Sequence, residues 1–123
     1  MAKIFIDFDA TDPEARFVLL RARSLIADPE NWIQGPVAVD KDKKPVEVGD
    51  PDACAWCALG AIYEVAYRND APDEPAYDVL RKIILGAGHG GIANWNDWHK
   101  TTHSEVLDVF DEAIDIVTVP PTD

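Results

Sequence analysis

The sequence DPDACAWCALGAIYEVAYR, residues 50–68, begins with a helix-start signal and continues with apolar residues at many angles around a helix. Asp50 or Asp52 can cap this helix, and Pro51 suits its first turn. Apolar side chains around much of the cylinder are typical of a helix that packs on several sides. We therefore predict a central helix two over residues 51–69.

Three further helices are predicted on either side of helix two. Residues 11–28 (helix one) and 74–86 (helix three) each carry apolar residues at the spacing of one helix face. Helix four spans residues 103–117, and Thr102 and Glu105 before its apolar stripe have the spacing of a capping box. These patterns predict a chain that is mainly α-helical.

A β-hairpin is predicted for residues 33–49, between helices one and two. Val37 and Val39 precede a polar DKDKK turn, and Val46 and Val48 follow it at matching spacing. The hairpin therefore brings the two pairs of valines opposite each other.

The remaining segments complete a compact four-helix arrangement. Residues 1–10 favour a short strand, residues 87–101 contain too many glycines for regular structure and predict a loop, and residues 118–123 form a tail. A chain of 123 residues is within the usual range for one domain, so we expect residues 1–123 to form a single domain.

The charge of the chain restricts its partners. With 23 acidic and 11 basic side chains its formal net charge is −12, which disfavours direct nucleic-acid binding and favours basic partners. No apolar run has the length of a membrane span, and the N-terminus lacks the pattern of a secretory signal. We therefore expect a soluble cytoplasmic protein with reduced thiols and no membrane partner.

Two cysteines and two histidines raise the possibility of a metal site at Cys54, Cys57, His99 and His103. Zinc sites more commonly place such cysteine pairs on tight turns, and zinc fingers separate the two ligand pairs by about 12–15 residues. Here the pairs are some forty residues apart. We expect no metal and no cofactor, with these four residues as the alternative ligand set.

Cys57 is also a candidate nucleophile, with a histidine as base and Asn96 or Asp97 as the orienting group. A helix N-terminus activates a thiol only within its first turn, and the predicted helix two begins about six residues before Cys57. Free cysteine is also among the most frequently buried residue types. The sequence thus favours a packing role for Cys57 over catalysis.

The sequence NWNDW, residues 94–98, is the densest cluster of aromatic and polar residues. Trp95 and Trp98 could anchor this loop to the core, with Asn96 and Asp97 bonding the backbone. Alternatively, the two indoles could form the walls of a binding pocket and the two polar residues its hydrogen-bonding groups. Structural support is the favoured interpretation.

Several short motifs occur in an ordered series: WIQG at 32–35, WCALGA at 56–61, WND at 95–97 and a T-x-x-E-V start to the last helix. In this series the chain resembles a family of small, functionally uncharacterised domains of bacterial and phage genomes, over roughly residues 13–116. The resemblance implies an architecture and candidate positions without a reaction. Those positions are Trp32, Gln34, Gly35, Cys57, Gly60, Ala61, Trp95, Asn96 and Asp97.

The sequence therefore predicts a small, soluble, acidic accessory or regulatory protein that binds a protein or small molecule. Its candidate surface is the base of the hairpin with the NWNDW loop, where Gln34, Asn96 and Asp97 could converge beside Cys57. One alternative is a hydrolase or transferase that uses Cys57. Another is an acidic inhibitor of a nucleic-acid-binding protein, with the carboxylates of helix four imitating a phosphate track.

Overall fold

The computed structural model describes residues 12–118, which form five α-helices, a short 3-10 helix and one two-stranded sheet. In chain order the elements are α1 (Pro13–Leu25), the 3-10 helix (Pro29–Asn31), β1 (Ala38–Val39), β2 (Ala55–Trp56), α2 (Ala58–Asn69), α3 (Glu74–Gly86), α4 (Ile92–Asp97) and α5 (His103–Thr118). The predicted mainly helical fold class is confirmed. The strand expected at residues 1–10, and the tail beyond Thr118, lie outside the described residues.

Helix α1 lies in the middle of the core. Asp12 caps it, because the Asp12 carboxylate accepts hydrogen bonds from the backbone N–H groups of Glu14 and Ala15, each at 3.0 Å. The helix contacts α2, α3 and α5. It buries the apolar residues Ala15, Val18, Leu19 and Ala22 completely. Full burial of one valine or leucine contributes about 1.5–3 kcal/mol, so this stripe is a main source of stability.

Helix α5 begins with the capping box that the sequence predicts. The backbone N–H of Thr102 donates to Glu105 Oε1 at 3.0 Å, and the backbone N–H of Glu105 donates to Thr102 Oγ1 at 3.2 Å. The helix packs on α1 and α3. Its buried residues follow helical spacing: Val106, Phe110, Ala113 and Val117.

Helix α2 begins at Ala58, so the predicted start at residue 51 is wrong. The apparent start signal belongs to a turn, in which the Asp50 carboxylate accepts a hydrogen bond from the backbone N–H of Asp52 at 2.8 Å. The chain then extends into β2 before the helix begins. Pairing of β2 with a distant segment therefore outweighs the local helix pattern.

The predicted hairpin is only partly correct. A turn does follow β1, with the backbone N–H of Asp40 donating to the carbonyl of Lys44 at 2.9 Å. The returning segment contributes a single bridge between Val39 and Pro45 and a hydrogen bond from the Val46 backbone N–H to the Ala38 carbonyl at 3.0 Å. Pro45 itself has no N–H to donate. The antiparallel partner of β1 is β2 instead, with Ala38 opposite Trp56 and Val39 opposite Ala55.

The predicted loop at 87–101 contains a short helix, α4, so the predicted count of four helices is wrong. Between α3 and α4, Gly88 and Gly91 adopt positive φ angles of 95° and 150°, which glycine adopts without strain. The six residues that follow form a helix because Ile92 and Trp95 bury their side chains against the core. Tertiary packing therefore creates this helix in a glycine-rich segment.

Gly60 lets the segment before β1 lie directly on the start of α2. A Cβ atom at this position would lie 1.9 Å from the carbonyl oxygen of Val37, which no side chain can occupy. The same carbonyl accepts a hydrogen bond from the backbone N–H of Cys57 at 3.3 Å. This close approach brings residues 32–37 beside the start of α2.

Candidate functional site

Asn96 connects three separate segments of the chain from a fully buried position. Its Oδ1 accepts hydrogen bonds from Trp32 Nε1 at 2.7 Å and from the backbone N–H of Ala58 at 3.0 Å. Its Nδ2 donates to the carbonyl of Ile33 at 3.1 Å and to Asp97 Oδ1 at 2.9 Å. We call these five residues the Asn96 network. It ties α4 to the loop after α1 and to the first turn of α2.

Gln34 and Gly35 form the outer side of this junction. Gln34 Nε2 donates to the carbonyls of Asn96 and Trp98, at 2.9 Å and 3.0 Å. The backbone N–H of Gly35 donates to Asp97 Oδ1 at 2.8 Å. Gly35 has a φ of 101°, a conformation that glycine adopts without strain. Gln34, Asn96 and Asp97 therefore do converge, and they bond one another and the backbone.

Trp32 also contacts the start of α5. Its ring lies 5.9 Å from the ring of His103, centroid to centroid. His103 Nε2 lies 2.7 Å from the carbonyl oxygen of Ile26, and a carbonyl only accepts, so Nε2 is the donor of this hydrogen bond. His103 therefore holds the end of α1 against α5.

Cys57 caps α2, so its predicted position inside a helix is wrong. Its Sγ accepts a hydrogen bond from the backbone N–H of Gly60 at 3.2 Å, and the residue is only 3 % exposed. Burial raises the pKa of the thiol above its ordinary value. Hydrogen bonds from the backbone of Gly60 and Leu59 lower it in part, while the charge of Asp97 raises it. The thiol is therefore protonated at neutral pH and shielded from solvent.

The four candidate metal ligands lie in different surroundings. Cys54 is exposed, Cys57 is buried, His103 bonds a backbone carbonyl, and the ring of His99 packs on Trp98 at 5.8 Å. Across residues 12–118, no three His, Cys, Asp or Glu side chains are grouped so as to hold a metal ion. The cysteine pair fails to form a ligand pair because Cys54 precedes β2 and Cys57 follows it.

Trp98 differs from the other indole of the NWNDW sequence, because 43 % of it is exposed whereas Trp95 is 5 % exposed. The rings of His89 and His99 lie 5.3 Å and 5.8 Å from the Trp98 ring, and Lys100 Nζ lies 5.7 Å from it. We call these four residues the Trp98 surface. The two tryptophans therefore do not form opposite walls of one pocket.

The Asn96 network and the Trp98 surface both lie within the part of the chain that matches a known family. A family of unknown function, DUF6197, matches residues 10–116. The chain belongs to this family. The comparison confirms the resemblance to a functionally uncharacterised family that the ordered motifs indicate. Comparisons with curated proteins and with solved structures find no match.

The candidate positions within the DUF6197 match have two different roles. Asn96, Trp95 and Cys57 are buried and bond or pack within the fold, whereas Gln34 and Asp97 are exposed. In the described part of the chain, no buried side-chain nitrogen or oxygen lacks a hydrogen-bond partner. The hydrogen bonds of the buried network are therefore all made within the fold, and the exposed candidate residues at this junction are Gln34, Gly35, Asp97 and Trp98.

Glu64 is a buried carboxylate that the sequence pattern did not single out. Its Oε1 accepts hydrogen bonds from the Gly49 backbone N–H at 2.9 Å and from Trp56 Nε1 at 3.0 Å, and its Oε2 from Arg68 Nε at 2.7 Å. Burial opposes ionisation, but these hydrogen bonds and the Arg68 charge outweigh it and lower the pKa of Glu64. In the sequence, the one indication of this buried carboxylate was the position of an acidic residue on the apolar side of the predicted helix two.

Thr101 was missed as well. Its Oγ1 donates to the carbonyl of Trp95 at 2.6 Å from a buried position, which closes the turn between α4 and α5.

None of the described helices is long and apolar enough to cross a membrane.

Proposed function

We propose that this protein is an accessory or regulatory binding protein and that the Trp98 surface is its contact site for a partner protein. One observation carries the proposal: a tryptophan is 43 % exposed on a backbone that is firmly held. The Trp98 carbonyl accepts one hydrogen bond from Gln34 Nε2 at 3.0 Å and another from the backbone N–H of Thr101 at 2.9 Å. Tryptophan is enriched among the residues that dominate binding energy at interfaces.

The anchoring of Trp98 supports this function physically. A side chain whose backbone is fixed before binding loses less conformational freedom when a partner covers it. The adjacent His89, His99 and Lys100 give the ring a polar rim, as at the edges of protein interfaces. The Asn96 network thereby acts as a support for the contact residue.

The two alternatives have weaker support. A cysteine-dependent reaction needs an accessible thiolate, and Cys57 is a buried thiol whose pKa is raised. The acidic face of α5 is exposed, but Asp111 pairs with Arg23 of α1, at 2.5 Å between Oδ1 and Nε, which interrupts the row of negative charges. That face fits a solvated surface better than a phosphate mimic. Cytoplasmic location and bacterial or phage origin stay predictions from the sequence.

The test compares wild type with Trp98→Ala and with Leu85→Ala, which removes a side chain of similar exposure, 38 %, from α3. Each protein is immobilised and exposed to an extract of the organism that encodes it, and captured proteins are identified by mass spectrometry. The partner is then purified and titrated by calorimetry. We expect Trp98→Ala to weaken binding about thirtyfold, as for a hot-spot residue, and Leu85→Ala to leave it within about threefold. Equal affinity for all three proteins would refute the proposal.

A further inference from the structure

All three tyrosines of the chain line one concave region between the end of α2 and the start of α3. One cavity of about 490 Å³ includes Tyr63 and Tyr77, and an adjoining cavity of about 500 Å³ includes Tyr63 and Tyr67. Both cavities include Asp73. We call the pair of cavities the tyrosine cavity. It shares no residue with the Trp98 surface.

Two of the three aromatic walls are held in place by the core. Tyr63 and Tyr77 are partly buried and pack against the hydrophobic core. Tyr67 is 68 % exposed, but its ring lies so close to Gly49 that a Cβ there would be 2.6 Å from Tyr67 Cε2. The core therefore holds two of the three rings that line the tyrosine cavity, and the third lies against Gly49.

Carboxylates complete the lining and give it an uncompensated negative charge. Asp73 and Glu74 line the first cavity, and Asp70 and Asp73 line the second. Within residues 12–118, none of these three carboxylates forms an ion pair, and Asp73 makes no capping hydrogen bond to α3. Burial raises the pKa of the Tyr63 hydroxyl, and the charge of Asp73 raises it further, so this ring stays neutral.

We propose that the tyrosine cavity binds a lysine or arginine side chain carried on an extended segment of a partner protein. Aromatic faces attract an ammonium or guanidinium group through the ring quadrupole, and nearby carboxylates strengthen the attraction. The same carboxylates repel an anionic ligand.

The shape favours a peptide over a small free cation. The two cavities adjoin through Tyr63 and Asp73, so neighbouring side chains of one segment can occupy both. Tyr67 is largely exposed, so its ring is accessible to the backbone of such a segment. A basic segment also complements the net charge of −12.

The test uses fluorescein-labelled peptides with a Gly-Ser background and two adjacent arginines, two lysines or two glutamines at the centre. Binding is followed by fluorescence anisotropy, and the site is located from the ring resonances of the three tyrosines. We expect the arginine and lysine peptides to bind and shift the Tyr63 and Tyr77 resonances. The glutamine peptide, and free spermidine at equal concentration, should bind at least about tenfold more weakly.

Variants separate the cavity from general charge attraction. Asp73→Asn is expected to weaken binding of the arginine peptide about tenfold, while Asp78→Asn, an equal charge change at an exposed position of α3 outside the cavity, leaves it unchanged. Tyr77→Leu should weaken binding and Tyr77→Phe should preserve it, because the ring face and not the hydroxyl binds the cation. Thermal unfolding verifies that each variant is folded. Equal losses in Asp73→Asn and Asp78→Asn, or equal binding of the glutamine peptide, would overturn the proposal.

Discussion

Replacement of Asn96 by alanine should be among the most damaging single changes in this protein. Asn96 is completely buried, and its side chain forms four hydrogen bonds. Alanine removes all four and leaves the backbone N–H of Ala58 and the indole N–H of Trp32 without their acceptor. The first of these groups is buried, and the second is partly exposed and can bond water in part.

The two orphaned donors set the size of the effect. A buried N–H without a partner costs about 1–3 kcal/mol, and the partly exposed indole N–H adds about 1 kcal/mol. We therefore expect Asn96→Ala to lower the free energy of unfolding by about 2–4 kcal/mol, out of about 5–15 kcal/mol for a natural domain. For a chain of this length the thermal midpoint falls by about 4 °C per kcal/mol, so a decrease of about 8–16 °C is expected.

The matched control is Asn94→Ala, because Asn94 lies in the same helix but is exposed. Its free energy of unfolding should stay within about 0.5 kcal/mol of wild type. Urea unfolding followed by tryptophan fluorescence measures both variants, and calorimetry gives the thermal midpoints. If the two variants unfold at the same urea concentration, the Asn96 network contributes no net stability and the reasoning above is wrong.

Three further changes test other parts of the structure. Gly60→Ala should destabilise the fold by about 1–3 kcal/mol in urea melts, because the new Cβ would collide with a backbone carbonyl. The control Gly86→Ala should be neutral or stabilising, because the space around Gly86 is open. Cys57 should react with Ellman's reagent at least about tenfold more slowly than the exposed Cys54, measured in two variants that each keep only one of the cysteines. Equal rates in these two variants would contradict the burial of Cys57. The folded-state pKa of Glu64 is lowered, so its ionised form stabilises the fold at pH values above its unfolded pKa of about 4.3. This stabilisation is lost as the pH falls through the folded-state pKa. The stability difference between wild type and Glu64→Gln should therefore shrink between about pH 5 and about pH 3, and a constant difference would count against the role of the charge.

The sequence alone determined the helices whose signals are local. The stripe of α1, with Asp12 before it, and the capping box of α5 depend on residues three or four positions apart. Such residues are neighbours on a helix whatever the rest of the chain does. The sequence motifs also indicated the family and most of the residues that meet at the Asn96 network.

The tertiary structure decided where α2 begins and what the candidate residues do. Cys57 became a helix cap because β1 pairs with β2, a pairing that joins segments far apart in the chain. Trp95 and Trp98 have similar sequence surroundings, yet one is buried and the other exposed, because the turn of α4 directs them to different environments. The grouping of the three tyrosines with Asp73 likewise depends on how α3 packs beside α2. These features arise from contacts between distant residues, which no local spacing encodes.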